Sequence, residues 1–180
     1  MEVYRNKEPE NNFLHRVRKL ANENNIVLVF DECTSGFRKN YGGLHKLYDV
    51  EPDVAMFGKA LGNGYAVTAV LGKREVMQAA EKSFISSTFW TERIGSSAAL
   101  ATLKAMNKEK SWSKITSTGE HINKEWLKLS QEYELPITIS GLTALTTFSF
   151  KSDNALAYKT LITQEMLKKG YLAATAVYVC

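Results

Sequence analysis

Two short apolar segments, each followed by polar residues, constrain the fold of this chain most strongly. Residues 27–30 are followed by Asp31 and Glu32, and residues 52–57 are followed by a glycine and Lys59. An unbroken apolar run is typical of a fully buried strand in a parallel sheet, whose chemistry lies beyond the carboxyl ends of the strands. The sequence therefore predicts an open α/β sheet with a carboxylate and an amine on neighbouring strand ends.

Lys59 carries the most specific chemistry in this pattern. A lysine amine at a strand end can form a Schiff base with a carbonyl compound. Pyridoxal 5'-phosphate requires such a lysine, together with a carboxylate that keeps its pyridine nitrogen protonated, and Asp31 is the candidate carboxylate. Taken singly, Lys59 could be an exposed loop charge and Asp31 a helix or turn cap. Their order on two strand ends favours the catalytic interpretation.

Residues 30–38 (FDECTSGFR) and 57–65 (FGKALGNGY) resemble the class III pyridoxal-phosphate aminotransferases, and most closely their glutamate-1-semialdehyde aminomutase branch. The resemblance extends over nearly all of the chain. It implies a fold-type-I α/β structure in which Lys59 forms the Schiff base with the cofactor and Asp31 pairs with its pyridine nitrogen. It also implies that Cys33 packs on a face of the cofactor ring, where the family usually has valine. A buried core thiol is the alternative role for Cys33.

Ser87 and Thr88 precede an alanine-rich helix. The resemblance implies that Thr88, with Ser87 beside it, binds the cofactor phosphate of the neighbouring subunit in a homodimer with a shared active site. The alternative is that this Ser/Thr run only caps the helix. Residues 90–93 (WTER) depart from the Ser-Gly-Asn-Pro that is common in the family. One apolar face of the helix comprises Ile94, Ala98, Ala101 and Ala105.

The resemblance implies amino-group transfer between a small-molecule amino donor and a carbonyl acceptor, or an amino shift within one substrate. Neither the substrate nor the choice between transaminase and aminomutase is indicated by these motifs. Family members are typically more than twice as long, so the chain looks like a central piece that starts at Met1 and stops at an apolar end, residues 178–180. The alternative is a truncated, inert binding or interaction domain that keeps the fold and the dimer surface.

Helix and strand patterns divide the chain near residue 108. Residues 1–108 predict part of a large cofactor-binding α/β domain with a parallel-type sheet, and residues 109–180 predict a small α+β domain that is incomplete at its C-terminal end. The predicted elements are a helix opening at Pro9, a third strand over 67–71, a helix over 73–80, a long helix over 112–133, strands over 137–139 and 144–150, and a helix over 154–169 closed by Gly170.

Composition and spacing exclude several other classes of protein. The net charge of +4 comes with scattered lysines, which predicts solvated helix faces and not a nucleic-acid surface. No apolar run approaches the roughly 18 residues of a membrane span. Cys33 and Cys180 lack metal-site spacing, so neither a metal site nor a disulfide is predicted, and a cytoplasmic setting is expected. His15, His45 and His121 are expected at the surface or on helices.

Overall fold

The computed structural model describes residues 8–180. Two compact units make up the chain, and the second runs from Ser113 to Cys180. The domain limits predicted from the sequence, 1–108 and 109–180, remain a prediction. Residues 1–7, at the beginning of the first predicted domain, lie outside the described residues.

The first unit is built on a three-stranded sheet in the order β1-β2-β3. β1 and β2 are parallel, as expected, whereas β3 runs antiparallel to β2. A strand that follows β2 and runs parallel to it would need a crossover connection of a dozen or more residues, usually a helix. The β2–β3 connection contains only a short 3-10 turn at Lys59–Leu61. The elements of this unit are α1 (Phe13–Glu23), β1 (Val29–Asp31), β2 (Val54–Phe57), β3 (Ala69–Gly72), α2 (Arg74–Met77) and α3 (Arg93–Glu109), with further 3-10 turns at Leu44–Tyr48 and Gln78–Lys82.

Helix α1 begins at Phe13 and not at Pro9 as predicted. Asn11 and Asn12 both have φ of 52°, in the left-handed region, so a right-handed helix cannot run through them. The predicted full burial of residues 27–30 is also wrong. Val29 is 48 % exposed and Phe30 is 6 % exposed, because the described residues cover only one face of β1.

The core of this unit lies where α3 packs over the sheet. Its buried residues are Phe37, Ala55, Phe57 and Leu61, with Ala99, Leu103 and Met106 of α3 packed against them. The helix face singled out in the sequence points elsewhere, since Ile94 is 55 % exposed and Ala101 is also exposed. α3 therefore buries one face in its own unit and leaves a second apolar face uncovered by the described residues.

Asp53, just before β2, ties α1 to the sheet. Its Oδ2 accepts hydrogen bonds of 2.8 Å from Nη1 of Arg18 and from the amide of Leu28. Its Oδ1 accepts one of 2.8 Å from Nζ of Lys73. Burial raises the pKa of Asp53, but the hydrogen bonds from Lys73, Leu28 and Arg18 outweigh it and hold that pKa well below its ordinary value of 3.8.

Replacing Asp53 with asparagine should lower the free energy of unfolding at neutral pH by about 2 kcal/mol, because hydrogen bonds to a charged acceptor are lost. The folded-state pKa is depressed, so this stabilisation is complete above the unfolded-state value near 3.8 and is lost as pH falls below it. Denaturant titrations over a pH series should show that the difference in free energy of unfolding between wild type and Asp53→Asn becomes smaller in acid. The exposed control Asp153→Asn should show no such difference from wild type. A difference for Asp53→Asn that does not change with pH would contradict this account.

The second unit follows the predicted order of a helix, two strands and a helix. β4 and β5 pair antiparallel as a hairpin, and β6 pairs antiparallel with β5. Gly119 allows a close approach of α4 to the segment before β5, because a Cβ there would lie 1.8 Å from the carbonyl oxygen of Thr143. The apolar C-terminal end is not covered by the described residues, since Tyr178 in β6 is 63 % exposed. The elements are α4 (Ser111–Glu132), β4 (Ile137–Ser140), β5 (Leu145–Phe150), α5 (Ala155–Lys168) and β6 (Ala176–Tyr178).

Candidate active site

The carboxyl ends of β1 and β2 form the edge at which the sequence predicts chemistry. Asp31, the last residue of β1, lies opposite Met56, and the amide of Glu32 donates a 2.9 Å hydrogen bond to the Met56 carbonyl. Lys59 lies two residues after the end of β2, with Gly58 between them. Because neighbouring strands lie about 4.8 Å apart, the parallel pair brings Asp31 and Lys59 to one edge of the sheet.

The Asp31 side chain is half-buried and anchored to the turn that follows it. Its Oδ1 accepts a 3.0 Å hydrogen bond from the amide of Cys33. This is a local turn contact of the kind expected if Asp31 were a cap. The carboxylate nevertheless stands at the strand end, so the turn contact fixes its orientation at the edge of the sheet.

Lys59 has an unusual backbone conformation. Its φ is 42°, in the left-handed region that a residue with a side chain rarely adopts, at the start of a 3-10 turn closed by a 2.9 Å hydrogen bond from the Leu61 amide to the Gly58 carbonyl. Backbone strain of this kind clusters at functional sites. The side chain is exposed, and its Nζ donates a hydrogen bond to Oγ1 of Thr34.

Cys33 is half-buried and lies against the loop that carries Lys59. A Cβ added to Gly58 would be 3.5 Å from Sγ of Cys33 and 3.4 Å from a methyl group of Thr68. The thiol therefore sits at the edge of the site and is not fully buried in the core. Asp31, Cys33 and Lys59 are thus brought to the same edge by the first two strands.

Glu32 forms a buried anchor that the sequence analysis did not find. It is fully buried, and its Oε2 accepts hydrogen bonds from Oγ of Ser35 at 2.9 Å and from the amide of Leu44 at 2.5 Å. Its Oε1 accepts from the amide of His45 at 2.9 Å and lies 2.7 Å from Nδ1 of the same residue. His45, expected at the surface or on a helix, lies in the 3-10 turn Leu44–Tyr48 and not at the surface, since its side chain is 5 % exposed. No signal in the sequence suggests the Glu32–His45 pair, because the two residues are 13 apart with no regular spacing.

Ser87 and Thr88 lie in the exposed segment 83–92 that leads into α3. Ser87 Oγ accepts a 3.3 Å hydrogen bond from the amide of Phe89. The alternative that this run caps α3 is wrong, because the N-cap residue is Glu92 and it makes no side-chain capping hydrogen bond. A role for Ser87 and Thr88 in phosphate binding remains a prediction.

The described part of the chain contains neither a metal-ligand cluster nor a membrane-spanning helix. Within residues 8–180, no group of three or more His, Cys, Asp and Glu residues is placed to hold a metal ion. Over the same span, no helix combines the length and apolar character needed to cross a membrane. Neither Cys33 nor Cys180 forms a disulfide within the described residues.

The comparisons with known proteins agree on one family. The family model described as aminotransferase class-III matches residues 7–177. The 3-aminobutyryl-CoA aminotransferase of Cloacimonas acidaminovorans (strain Evry) is 39% identical over 157 residues, which cover 87% of this chain and 38% of that protein. The glutamate-1-semialdehyde 2,1-aminomutase of Nitrosopumilus maritimus (strain SCM1) is 43% identical over 118 residues, which cover 64% of this chain and 27% of that protein.

Solved structures show the same fold. The FumI protein of Sphingopyxis sp. MTA144, in its PLP internal aldimine form, matches 92% of this chain with a TM-score of 0.83 at 24% identity. The match covers 41% of the FumI chain. This likeness confirms the predicted fold class, a partial fold-type-I transferase fold. The chain spans less than half the length of each relative described here.

Proposed function

Because the chain belongs to the class III aminotransferase family, we propose that its Lys59 and Asp31 form the central part of a pyridoxal 5'-phosphate site for amino-group transfer. The observation that carries the proposal is the amine and the carboxylate at the adjoining carboxyl ends of β1 and β2. The family match over residues 7–177 supports it, as do relatives named as an aminotransferase and an aminomutase.

The side chains at this edge fit that cofactor chemically. Lys59 supplies an exposed primary amine, and Asp31 supplies a carboxylate held in place by the Cys33 amide. Cys33 adds an apolar surface beside Gly58, where Sγ is close enough that even a methyl group on the glycine would touch it. An amine, a carboxylate and an apolar wall are the groups that pyridoxal phosphate requires from the protein around its ring.

Each residue has a distinct role in this proposal. When bound, pyridoxal phosphate supplies an aldehyde carbon for the exchange of amines and a ring that accepts electrons. Lys59 Nζ would hold the cofactor through its amine and, once released from it, would be the base that moves a proton at the substrate carbon. Asp31 places negative charge at the ring nitrogen and thereby favours the protonated nitrogen. Cys33 excludes water from one side of the ring.

The proposed reaction moves an amino group from a small-molecule donor to a carbonyl acceptor, or within one substrate. The two named relatives correspond by name to these two outcomes, one an aminotransferase and the other an aminomutase. Titrating the protein with pyridoxal phosphate should produce a visible absorbance band that an amino donor then shifts. A protein that gives no band at millimolar cofactor would instead fit an inert binding or interaction domain.

The exposed segment before α3 supports a homodimer with a shared site. Phe84 is 95 % exposed, Trp90 is 66 % exposed, and Ile94 at the start of α3 is 55 % exposed. Exposed apolar side chains mark an interaction site where they form a contiguous patch. The proposal places this surface against a second copy of the chain, with Thr88 and Ser87 reaching the phosphate held by the partner subunit.

Thr88→Ala should weaken cofactor binding about tenfold, or about 1.4 kcal/mol, because one phosphate hydrogen bond is lost. At a cofactor concentration that saturates the wild type but not Thr88→Ala, mixing Thr88→Ala with Lys59→Ala should raise activity above the sum of the two separate variants, because a heterodimer then holds one composite site free of both changes. Equilibrium titration with cofactor and an amino-transfer assay measure the two effects. Thr91→Ala, in the same exposed segment, is the matched control and should bind normally. If heterodimers form without this gain in activity, Thr88 does not act across the dimer.

A further inference from the structure

The turn after β1 brings a hydroxyl group into hydrogen-bond contact with the candidate nucleophile, the Lys59 amine. Lys59 Nζ donates a hydrogen bond to Oγ1 of Thr34. Thr34 and Lys59 are 25 residues apart in the chain, so the contact exists only because the two strand ends meet. The family motif gave no reason to single out Thr34.

Thr34 sits on a turn that is fixed from both sides. Before it, the amide of Cys33 donates to Oδ1 of Asp31 at 3.0 Å. After it, Oγ of Ser35 donates to the buried Glu32 carboxylate at 2.9 Å, and the amide of Gly36 donates to the Glu32 carbonyl at 2.8 Å. Glu32 is fully buried and also accepts hydrogen bonds from the Leu44–Tyr48 turn. The turn that carries Thr34 therefore cannot shift without breaking a buried network.

We propose that Thr34 is a positioning residue for Lys59, an inference that rests on the proposed function. A neutral amine that donates one N–H to Oγ1 keeps its lone pair off Thr34, at roughly a tetrahedral angle from that N–H. Attack of the amine on an aldehyde forms a carbon–nitrogen double bond, and the aldehyde oxygen leaves as water with the two protons that the nitrogen loses. A hydrogen bond that narrows the directions open to the lone pair raises the fraction of encounters that lead to this bond.

The buried Glu32 carboxylate holds in place the turn that carries Thr34. Charge-assisted hydrogen bonds to a fully buried carboxylate are among the stronger polar contacts in a protein. They hold the turn while Lys59, which is exposed, keeps a flexible stem. The pair therefore combines one rigid partner, Thr34, with one mobile partner, the lysine amine.

The test measures how fast pyridoxal phosphate attaches to Lys59 in the absence of substrate. Samples taken over time are reduced with borohydride and mapped by mass spectrometry, with Lys73 as an internal reference because its amine is paired with Asp53. Thr34→Val, which removes the hydroxyl at nearly constant shape, should slow attachment at Lys59 about tenfold, equivalent to about 1.4 kcal/mol. Thr34→Ser should restore the rate to within about twofold of wild type. Labelling of Lys73 should not change.

Two controls separate positioning from damage to the fold. Thr160→Val makes the same change on α5, where Oγ1 bonds only its own helix backbone at Leu156, and should leave the rate at Lys59 unaltered. Thr34→Ala serves as a second deletion of the hydroxyl if the valine variant does not fold, and should give the same loss. Thermal unfolding checks that each variant is native.

The outcomes distinguish this inference from the function on which it rests. If the wild type attaches the cofactor preferentially at Lys59 and the valine or alanine variant does so equally fast, Thr34 has no positioning role and the proposed function stands. A serine variant as slow as the valine variant would also overturn the inference. If the wild type shows no preference for Lys59 over Lys73, the proposed function fails together with it.

Discussion

Replacing Lys59 with alanine should abolish both covalent attachment of pyridoxal phosphate and amino transfer. The variant retains the sheet edge and Asp31 but has no amine that can bond to the cofactor aldehyde at that edge. Lys73 is the nearest alternative, and its amine is held 2.8 Å from the Asp53 carboxylate, ahead of α2. Absorbance titration and an amino-transfer assay measure the loss, which should be complete in both.

Lys73→Arg is the matched control for this loss. Arginine can keep the ion pair with Asp53, and its guanidinium cannot take the place of the lysine amine. We expect normal attachment and turnover from this variant. Retained turnover in Lys59→Ala, or loss of attachment in Lys73→Arg, would contradict the assignment of Lys59.

Asp31→Asn should reduce turnover at least about a hundredfold, which is about 2.7 kcal/mol of transition-state stabilisation. Asparagine keeps the shape and can still accept the hydrogen bond from the Cys33 amide through its Oδ1. The change therefore removes the charge that favours the protonated ring nitrogen and leaves the turn intact. Attachment at Lys59 should survive, so the variant should bind the cofactor and turn over slowly.

The exposed Asp49 provides a control carboxylate in the same unit. Its φ of 50° is one that asparagine also tolerates, so Asp49→Asn removes a charge without strain. It should turn over at the wild-type rate in a steady-state assay. Near-normal turnover in Asp31→Asn would show that a different group serves the ring nitrogen.

The parts of the fold that follow from local pattern were predictable from the sequence. The stripe of apolar residues over 112–133 repeats at helical spacing, and α4 occupies Ser111–Glu132. Gly170 was expected to close the last helix, and its φ of 85° is a conformation suited to glycine. Asp31 and Lys59 could be placed at one edge because the carboxyl ends of parallel strands lie at the same edge of a sheet.

The parts that depend on distant residues could not be predicted in the same way. The Glu32–His45 pair joins residues 13 apart through a loop that has no regular pattern, so nothing in the sequence distinguished His45 from a surface histidine. The direction of β3 depends on the path of the chain after Lys59. The exposure of Val29 depends on what packs on that face of β1, which an apolar run does not reveal.

The central claim is that Lys59 is the amine that carries pyridoxal phosphate. Borohydride reduction of the protein after incubation with the cofactor, followed by peptide mapping, tests it most directly. We predict one dominant modified peptide that contains Lys59, with its label lost in Lys59→Ala and kept in Lys73→Arg. A label that is found mainly on Lys73, or spread over the surface lysines without preference, would contradict the account.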